Sequence, residues 1–484
     1  MIALLFSTLV VTVYFGTVQA ATTWTQTYGG VAADIGNSLV ETSDGGYAIV
    51  GSTESFGAGE TDICLVKIDE FGTAEWNMTY GGPDYDFGRS LVATADGGYA
   101  IAGYTGYIGA GELSDFWLIK TDAYGNEEWN QTYGGADQDK VASLVATADG
   151  GYAIAGTTHS SDYMFGDFWL IKTDAYGNEE WNQTYGGIEG EWLYSMVEAQ
   201  DGGYAMVGTW DLPIFGGSGW TNNSWLVKTD VDGNMEWNQT YEGGNAHSLV
   251  ATADGGYAIA STRFYDSNGV GGWSDFWLIK TDEFGTVEWN KTYGGTDYDF
   301  GRSLVETSDG GYALAGYTGY IGAGGWSDFW LIKTDEFGTV DWNMTYGGSN
   351  EEKAFSLVEA SDGGYALAGT TQFSDLDPHN VDNGIYNSWL VKADVDGNME
   401  WKQTYGGEEI DEAYSLIEAS DGGYVLAGYT SSYGVGVADV WLVKTDEYGV
   451  VPEAAWVVLP LLIVATLAIF ISKMKLLRTH SKER

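Results

Sequence analysis

The fifteen residues TDAYGNEEWNQTYGG occupy positions 121–135 and recur, letter for letter, at 173–187. An active site is ordinarily built once, so a copied segment of this length points to repeated architecture. The tryptophan of the segment marks its register. It recurs as Trp24, Trp76, Trp129, Trp181, Trp237, Trp289, Trp342 and Trp401, at intervals of 52, 53, 52, 56, 52, 53 and 59 residues. Between Trp129 and Trp181 lie SLVATA (143–148), DGG, YAIAG (152–156), a variable loop, DFWLIKTD (167–174) and the turn AYGN, before EEWNQTYGG (179–187) closes the unit. Alternation in the first run, and β-branched and aromatic residues in the others, predict four strands. Asp-Gly and Gly-Asn supply the positive φ that tight hairpins need. Four antiparallel strands every fifty-odd residues make a propeller blade.

Counting predicts the number of blades. First strands open at Ser38, Ser90, Ser143, Ser195, Ser248, Ser303, Ser356 and Ser415, eight in all. The last unit has no fourth strand, whereas TWTQTYG (23–29) stands alone before the first complete set. If that strand joins the last blade, no sheet edge at the seam is left unpaired. The expected fold is therefore all-β: an eight-bladed propeller of four-stranded antiparallel blades, closed by the N-terminal strand. A seven-bladed ring with a spare unit, or two four-bladed rings, are the alternatives.

Composition agrees, with 71 Gly, only 5 Pro and 15% aromatic residues in 484. The formal charge of −49 predicts a soluble surface that attracts cations and repels nucleic acid, and no basic face is legible outside the last twelve residues. The single Cys64 excludes an intrachain disulfide, so stability must come from packing.

Both ends read as targeting segments. Residues 2–15 are apolar and precede Val18-Gln19-Ala20, so 1–20 is expected to be a signal peptide. The propeller would fill 21–449 and a short linker 450–453. The uncharged run 454–472 is long enough to span a bilayer as a C-terminal helix. The tail 473–484 carries Lys473, Lys475, Arg478, Lys482 and Arg484, which places it in the cytoplasm and the repeats outside, on the cell surface.

The repeated tryptophan reads as packing rather than recognition, because it is the same on every blade. Full burial of about 150–250 Å² would be worth some 4–6 kcal/mol per blade as an upper bound. Lys67, Lys120, Lys172, Lys228, Lys280, Lys333 and Lys392 each precede an acid by eight residues, from Glu75, Glu128 and Glu180 to Glu400. Across a hairpin these should face each other as exposed pairs of about 0–1 kcal/mol.

The pattern A-x-x-DGGY-A-I-A-G…D-F-W-L-I-K-T-D-x-x-G-N-x-x-W resembles the delta-60 type of β-propeller repeat over nearly all of 24–449. Its D-x-x-G-x-x-x-W part is similar to the tryptophan-docking motif of quinoprotein (PQQ-like) eight-bladed propellers, and its glycine doublets more loosely to kelch repeats. Pro452-Glu453 before the apolar run is similar to tripartite sorting signals of prokaryotic surface proteins. These resemblances imply a fold and a surface location and leave activity open.

Function is expected where the copies differ. The loops at 105–114, 209–223, 262–274 and 370–387 vary, while the DGG and D-x-x-G turns do not. Interblade acids (Asp84, Asp86, Asp137, Asp139, Glu189, Glu191, Glu408, Glu409 and Asp411) should make the variable face acidic and aromatic, suited to an extracellular glycan, a cation or a basic protein. The turns Asp230-Val-Asp232-Gly-Asn234 and Asp394-Val-Asp396-Gly-Asn398 resemble the start of calcium loops, without the distal Glu of an EF-hand. Calcium is the one cofactor these residues suggest. Asn77, Asn130, Asn182, Asn238, Asn290 and Asn343 open Asn-x-Thr sequons after the repeated tryptophan, and Asn222 opens another, so a glycoprotein is expected. No nucleophile, zinc or phosphate-loop signature occurs, and one cysteine cannot supply the vicinal pair of quinoproteins. The reading is a membrane-anchored, non-enzymatic binding propeller. The alternative is an extracytoplasmic enzyme of quinoprotein or glycan-active type.

Overall fold

The structure, a computed structural model, describes residues 23–107, 113–135, 138–159, 166–187, 189–213, 220–265, 273–319, 327–373 and 385–451. The expected signal peptide, Pro452-Glu453, the apolar run and the basic tail lie outside the described residues, as do the centres of the four variable loops. Among the described residues no helix is long and apolar enough to cross a membrane.

Among the described residues thirty-two strands run from β1 (Trp24–Tyr28) to β32 (Asp439–Lys444). They hydrogen-bond in antiparallel sets of four, here called blades. Blade 3 is typical: β10 (Asp139–Ala146), β11 (Tyr152–His159), β12 (Gly166–Thr173) and β13 (Glu179–Tyr185) pair in chain order. Its first turn is drawn tight by Gly150 N–H on Thr147 O (2.9 Å), with Gly150 at φ 88°. In the turn between β12 and β13, Asp174 Oδ1 accepts the N–H groups of Tyr176 and Asn178, and Gly177 takes φ 75°. These are the Asp-Gly and Gly-Asn turns of the repeat, and no residue with a Cβ enters that region as cheaply.

Blades 1 to 7 cover 34–80, 85–133, 139–185, 190–242, 244–293, 298–346 and 352–405. Blade 8 joins 411–444 to the N-terminal strand: β1 pairs with β32 from Trp24 opposite Lys444 to Tyr28 opposite Val440. Single parallel bridges tie some neighbours, at Ala33–Ala438, Thr61–Tyr85, Ser114–Gln138 and Ser274–Tyr298.

The core lies between blades. Ala100, Phe116, Leu118 and Tyr133 of blade 2 pack with Leu144, Tyr152, Ile154 and Trp169 of blade 3. The same arrangement joins Trp24, Val425, Val440 and Leu442 of blade 8 to Leu39, Tyr47 and Ile49 of blade 1. A blade alone would expose both of its apolar faces, which is why the sequence had to be copied to fold at all.

Candidate functional site

At the turn end of each blade the copied residues form one fixture. The Lys172 ammonium meets Asp149 Oδ2 (2.8 Å), Glu180 Oε2 (2.9 Å) and the Thr173 carbonyl (2.8 Å), and its side chain is 4% exposed. The lysine is thus a buried hub holding two carboxylates, and the exposed two-membered pair expected from the spacing is corrected. The missed partner is the Asp of the copied DGG turn, a neighbour only once the hairpins lie side by side. Hubs at Lys67, Lys120, Lys228, Lys280, Lys333 and Lys392 repeat it, with Asp341 farther off at 3.6 Å because its side chain is one carbon shorter. Lys444 of blade 8 binds Asp421 at 2.6 Å. Burial opposes ionisation of Asp149, yet hydrogen bonds from Lys172, Thr147 and Gly151 outweigh it and hold the carboxyl at about 2.

The repeated tryptophan docks across the interface. Trp129 stands edge-on to Tyr152 of the next blade, centroids 5.9 Å apart, and a Cβ on Gly177 would collide with its indole. Tyr133 donates its hydroxyl to the Gly177 carbonyl at 2.7 Å. Blade 8 repeats this onto blade 1 through Trp24, Tyr28 and Gly72, and blade 7 onto blade 8 through Trp401, Tyr405 and Gly449. The dock is as expected, but Trp129 is only half-buried. A second indole carries more of the core: Trp169 is 8% exposed and lies 4.7 Å from the Phe116 ring. Every DFWLIK-type strand but the one holding Cys64 has such a tryptophan, so the signal was in the repeat.

The sequon asparagines take part in this fixture. Asn130, Asn182, Asn238, Asn290 and Asn343 accept the indole N–H of Trp117, Trp169, Trp225, Trp277 and Trp330 at 3.1–3.3 Å. Their repetition therefore has a packing reason, although all five are exposed. Asn77 is exposed and faces no indole, since Cys64 stands where the tryptophan would, and Asn222 is half-buried opposite Asp211. In the two Asp-x-Asp-Gly-Asn turns, Asp230 and Asp394 bond the amides of Asp232 and Asn234, and of Asp396 and Asn398. That is the turn blade 3 makes with a single Asp. Among the described residues no group of three or more His, Cys, Asp or Glu could hold a metal ion.

The far end of each interface carries acids that the sequence placed on the surface. Asp86, Asp139, Glu191 and Asp411 are instead buried, which corrects their assignment to the acidic face, whereas Asp84, Glu408 and Glu409 are exposed as expected. Acids or amides of two blades crowd a glycine of the copied Tyr-Gly-Gly: Asp62 with Asp86 at Gly81, Asp167 with Glu191 at Gly186, Asp275 with Asp299 at Gly294, and Asn387 with Asp411 at Gly406. Desolvation first, then the neighbouring charge of Asp167, pushes Glu191 up to about 8. Burial and Asp328 take Glu352 to about 7, and burial and Asp275 take Asp299 to about 6.

The inner edge is where the copies diverge. First strands of successive blades lie side by side, blade 8 beside blade 1 included. Each carries a β-bulge that leaves one residue unpaired, and bulges commonly re-aim a side chain at a functional site. The bulged residues are Asn37, Arg89, Ala142, Tyr194, His247, Arg302, Phe355 and Tyr414. Neighbours in this row touch: the Tyr194 and His247 rings are 5.7 Å apart, and Asn37 donates to Gly88 O at 2.8 Å. Burial, then Arg302, lowers His247 to about 4. Four-stranded antiparallel blades with first strands innermost and cores between neighbours decide the architecture. The chain is a β-propeller.

No family model matches the chain. The regulatory protein FlaEY of Caulobacter vibrioides is 28% identical over 138 residues, 25% of this chain and 14% of FlaEY. The likeness thus spans a small part of that relative's length. Two crystal structures of Sqt1 from Chaetomium thermophilum align at a TM-score of 0.52, with 11% and 12% identity, over 87% of this chain and 100% and 97% of theirs. At that identity the likeness concerns the fold alone.

Proposed function

We propose that the eight blades close into one ring, of the delta-60 type with a quinoprotein-like tryptophan dock, and that the ring is a non-enzymatic binding module at the cell surface. The observation that carries this reading is the division of each blade. Its turn end repeats with little change, the lysine hub included, while the inner edge presents eight bulged positions filled by six residue types. Closure draws support from β1 pairing with β32 and from the tryptophan dock crossing the seam. Anchoring by 454–472, with the ring outside the cytoplasm and a glycan or protein partner on the variable loops, completes the proposal. Protease added to intact cells should release a fragment ending near residue 453 and leave the basic tail protected; protection of the repeats would overturn the topology. Shortening the loop at 370–387 should weaken capture of envelope ligands without lowering the melting temperature, whereas unchanged capture would overturn the loop assignment. Calcium at the Asp-x-Asp-Gly-Asn turns is part of the proposal too, tested by calorimetric titration of Asp232→Asn and Asp396→Asn variants beside the parent protein.

A further inference from the structure

The propeller's cations are distributed unevenly. Of its 15 basic residues ahead of the tail, eight are the buried hubs. Of the other seven, Arg89, Lys140, Arg302 and Lys353 all lie on first strands, at or two residues before the bulge. Their blades are 2, 3, 6 and 7, so the arrangement is an Arg–Lys pair followed, four blades on, by a second Arg–Lys pair. The members of each pair are some fifty residues apart in sequence, and the adjacency of first strands in blades 2 and 3 and in blades 6 and 7 makes them neighbours.

Each arginine is held by an aromatic cradle. Arg89 lies 5.6 Å over the Tyr104 ring and donates to its hydroxyl at 3.1 Å; Phe87 packs on Tyr104 at 5.1 Å and stacks with Tyr85. Arg302 repeats this on Tyr317 and Phe300, with Lys353 over the same Tyr317 ring at 5.8 Å. A guanidinium stacked on a ring keeps its fork outward and loses little freedom on meeting a carboxylate. The twins differ in their lysines. Lys353 is neutralised by Glu351 at 2.9 Å, whereas the residue two before Lys140 is Gln138, and neither Arg89 nor Lys140 has an ion pair among the described residues.

We infer that the inner edge at blades 2 and 3 is a binding site for an acidic oligosaccharide, its carboxylate received by Arg89 and Lys140, with Arg302 and Lys353 forming a weaker second site. This rests on the closed-ring binding module proposed above. Half-buried Tyr85 and Phe87 offer ring faces for sugar C–H groups, and the adjoining Asn37 offers an amide for hydroxyls. A long polyanion is a poorer fit than a short acidic oligosaccharide, because the −49 charge of the chain repels whatever part of it extends past the patch by more than a screening length of about 8 Å.

The test titrates full-length protein with oligogalacturonate, using a neutral oligoglucoside, a sulfated oligosaccharide, poly-glutamate and single-stranded DNA as comparison probes. Oligogalacturonate should bind, tighter at low salt and tighter than the other probes. Arg89→Ala with Lys140→Ala should weaken it at least tenfold, Arg302→Ala with Lys353→Ala about threefold, and Glu351→Gln should strengthen the second site. Arg89→Lys, which keeps the charge and removes the fork, should retain part of the affinity; all these variants should melt with the parent. Absence of oligogalacturonate binding, binding indifferent to Arg89 and Lys140, or equal Arg89-dependent binding of poly-glutamate, sulfated sugar or DNA would overturn the inference. Loop-dependent capture of an envelope ligand that survives loss of Arg89 and Lys140 would defeat this site while leaving the binding-module reading intact.

Discussion

The turn end and the inner edge of a blade are built from the same strands, yet they obey opposite rules. At the turn end, a buried lysine, a docked indole and a left-handed glycine repeat around the propeller, because each satisfies a neighbour whose needs are also repeated. At the inner edge, Arg89, Ala142, Tyr194 and His247 occupy one structural position on successive blades. A bulged side chain leaves its pairing row, so the ladder places no demand on its chemistry. Repetition here marks what the scaffold requires, and departure from it marks where the scaffold leaves the residue free.

Four substitutions would break or sharpen this contrast. The largest effect is expected for Trp129→Ala, which empties the dock against Tyr152 and Gly177 and should cost about 3 kcal/mol by chemical denaturation. Lys172→Met should follow at about 2 kcal/mol, since a buried cation is lost but the two carboxylates it held are half exposed and recover water. Glu191 tests the interblade acids. Its carboxyl rises from an ordinary 4.5 to about 8 on folding, so the folded state binds that proton more tightly. Stability is therefore fullest below about 4.5 and declines as pH climbs to about 8. Glu191→Gln should remove that decline, gaining about 1–2 kcal/mol at pH 9 and nothing near pH 4. A parent protein as stable at pH 9 as at pH 5 would contradict the account. The smallest effect is expected at the one blade that lacks the second indole. Cys64 lines a cavity with Tyr28, Phe56, Val66, Met78 and Val440, and Cys64→Trp should fill it for about 1 kcal/mol of added stability.

Much of this was open to reading from the residues alone. The tryptophan spacing and the Asp-Gly turns led to blades and hairpins, since the chemistry involved is local. The orphan strand 23–29 was traced to the last blade by counting, and β1 does pair with β32. What escaped detection depended on partners distant in sequence. Asp149 is 23 residues from Lys172, and Glu191 meets Asp167 only where two blades abut. Asp86 and Glu191 looked like surface acids because loop acids usually are, and burial is decided by the neighbouring blade.

The sequence by itself determined the repeat, its four strands and its copied contacts, because hydrophobic alternation, turn glycines and hairpin registers act within some fifty residues. Only the tertiary structure decided that the lysines are buried hubs and that Arg89, Lys140, Arg302 and Lys353 share the inner edge. Those facts depend on which strand is innermost and which blade is next, and both are settled by packing apolar faces between neighbours.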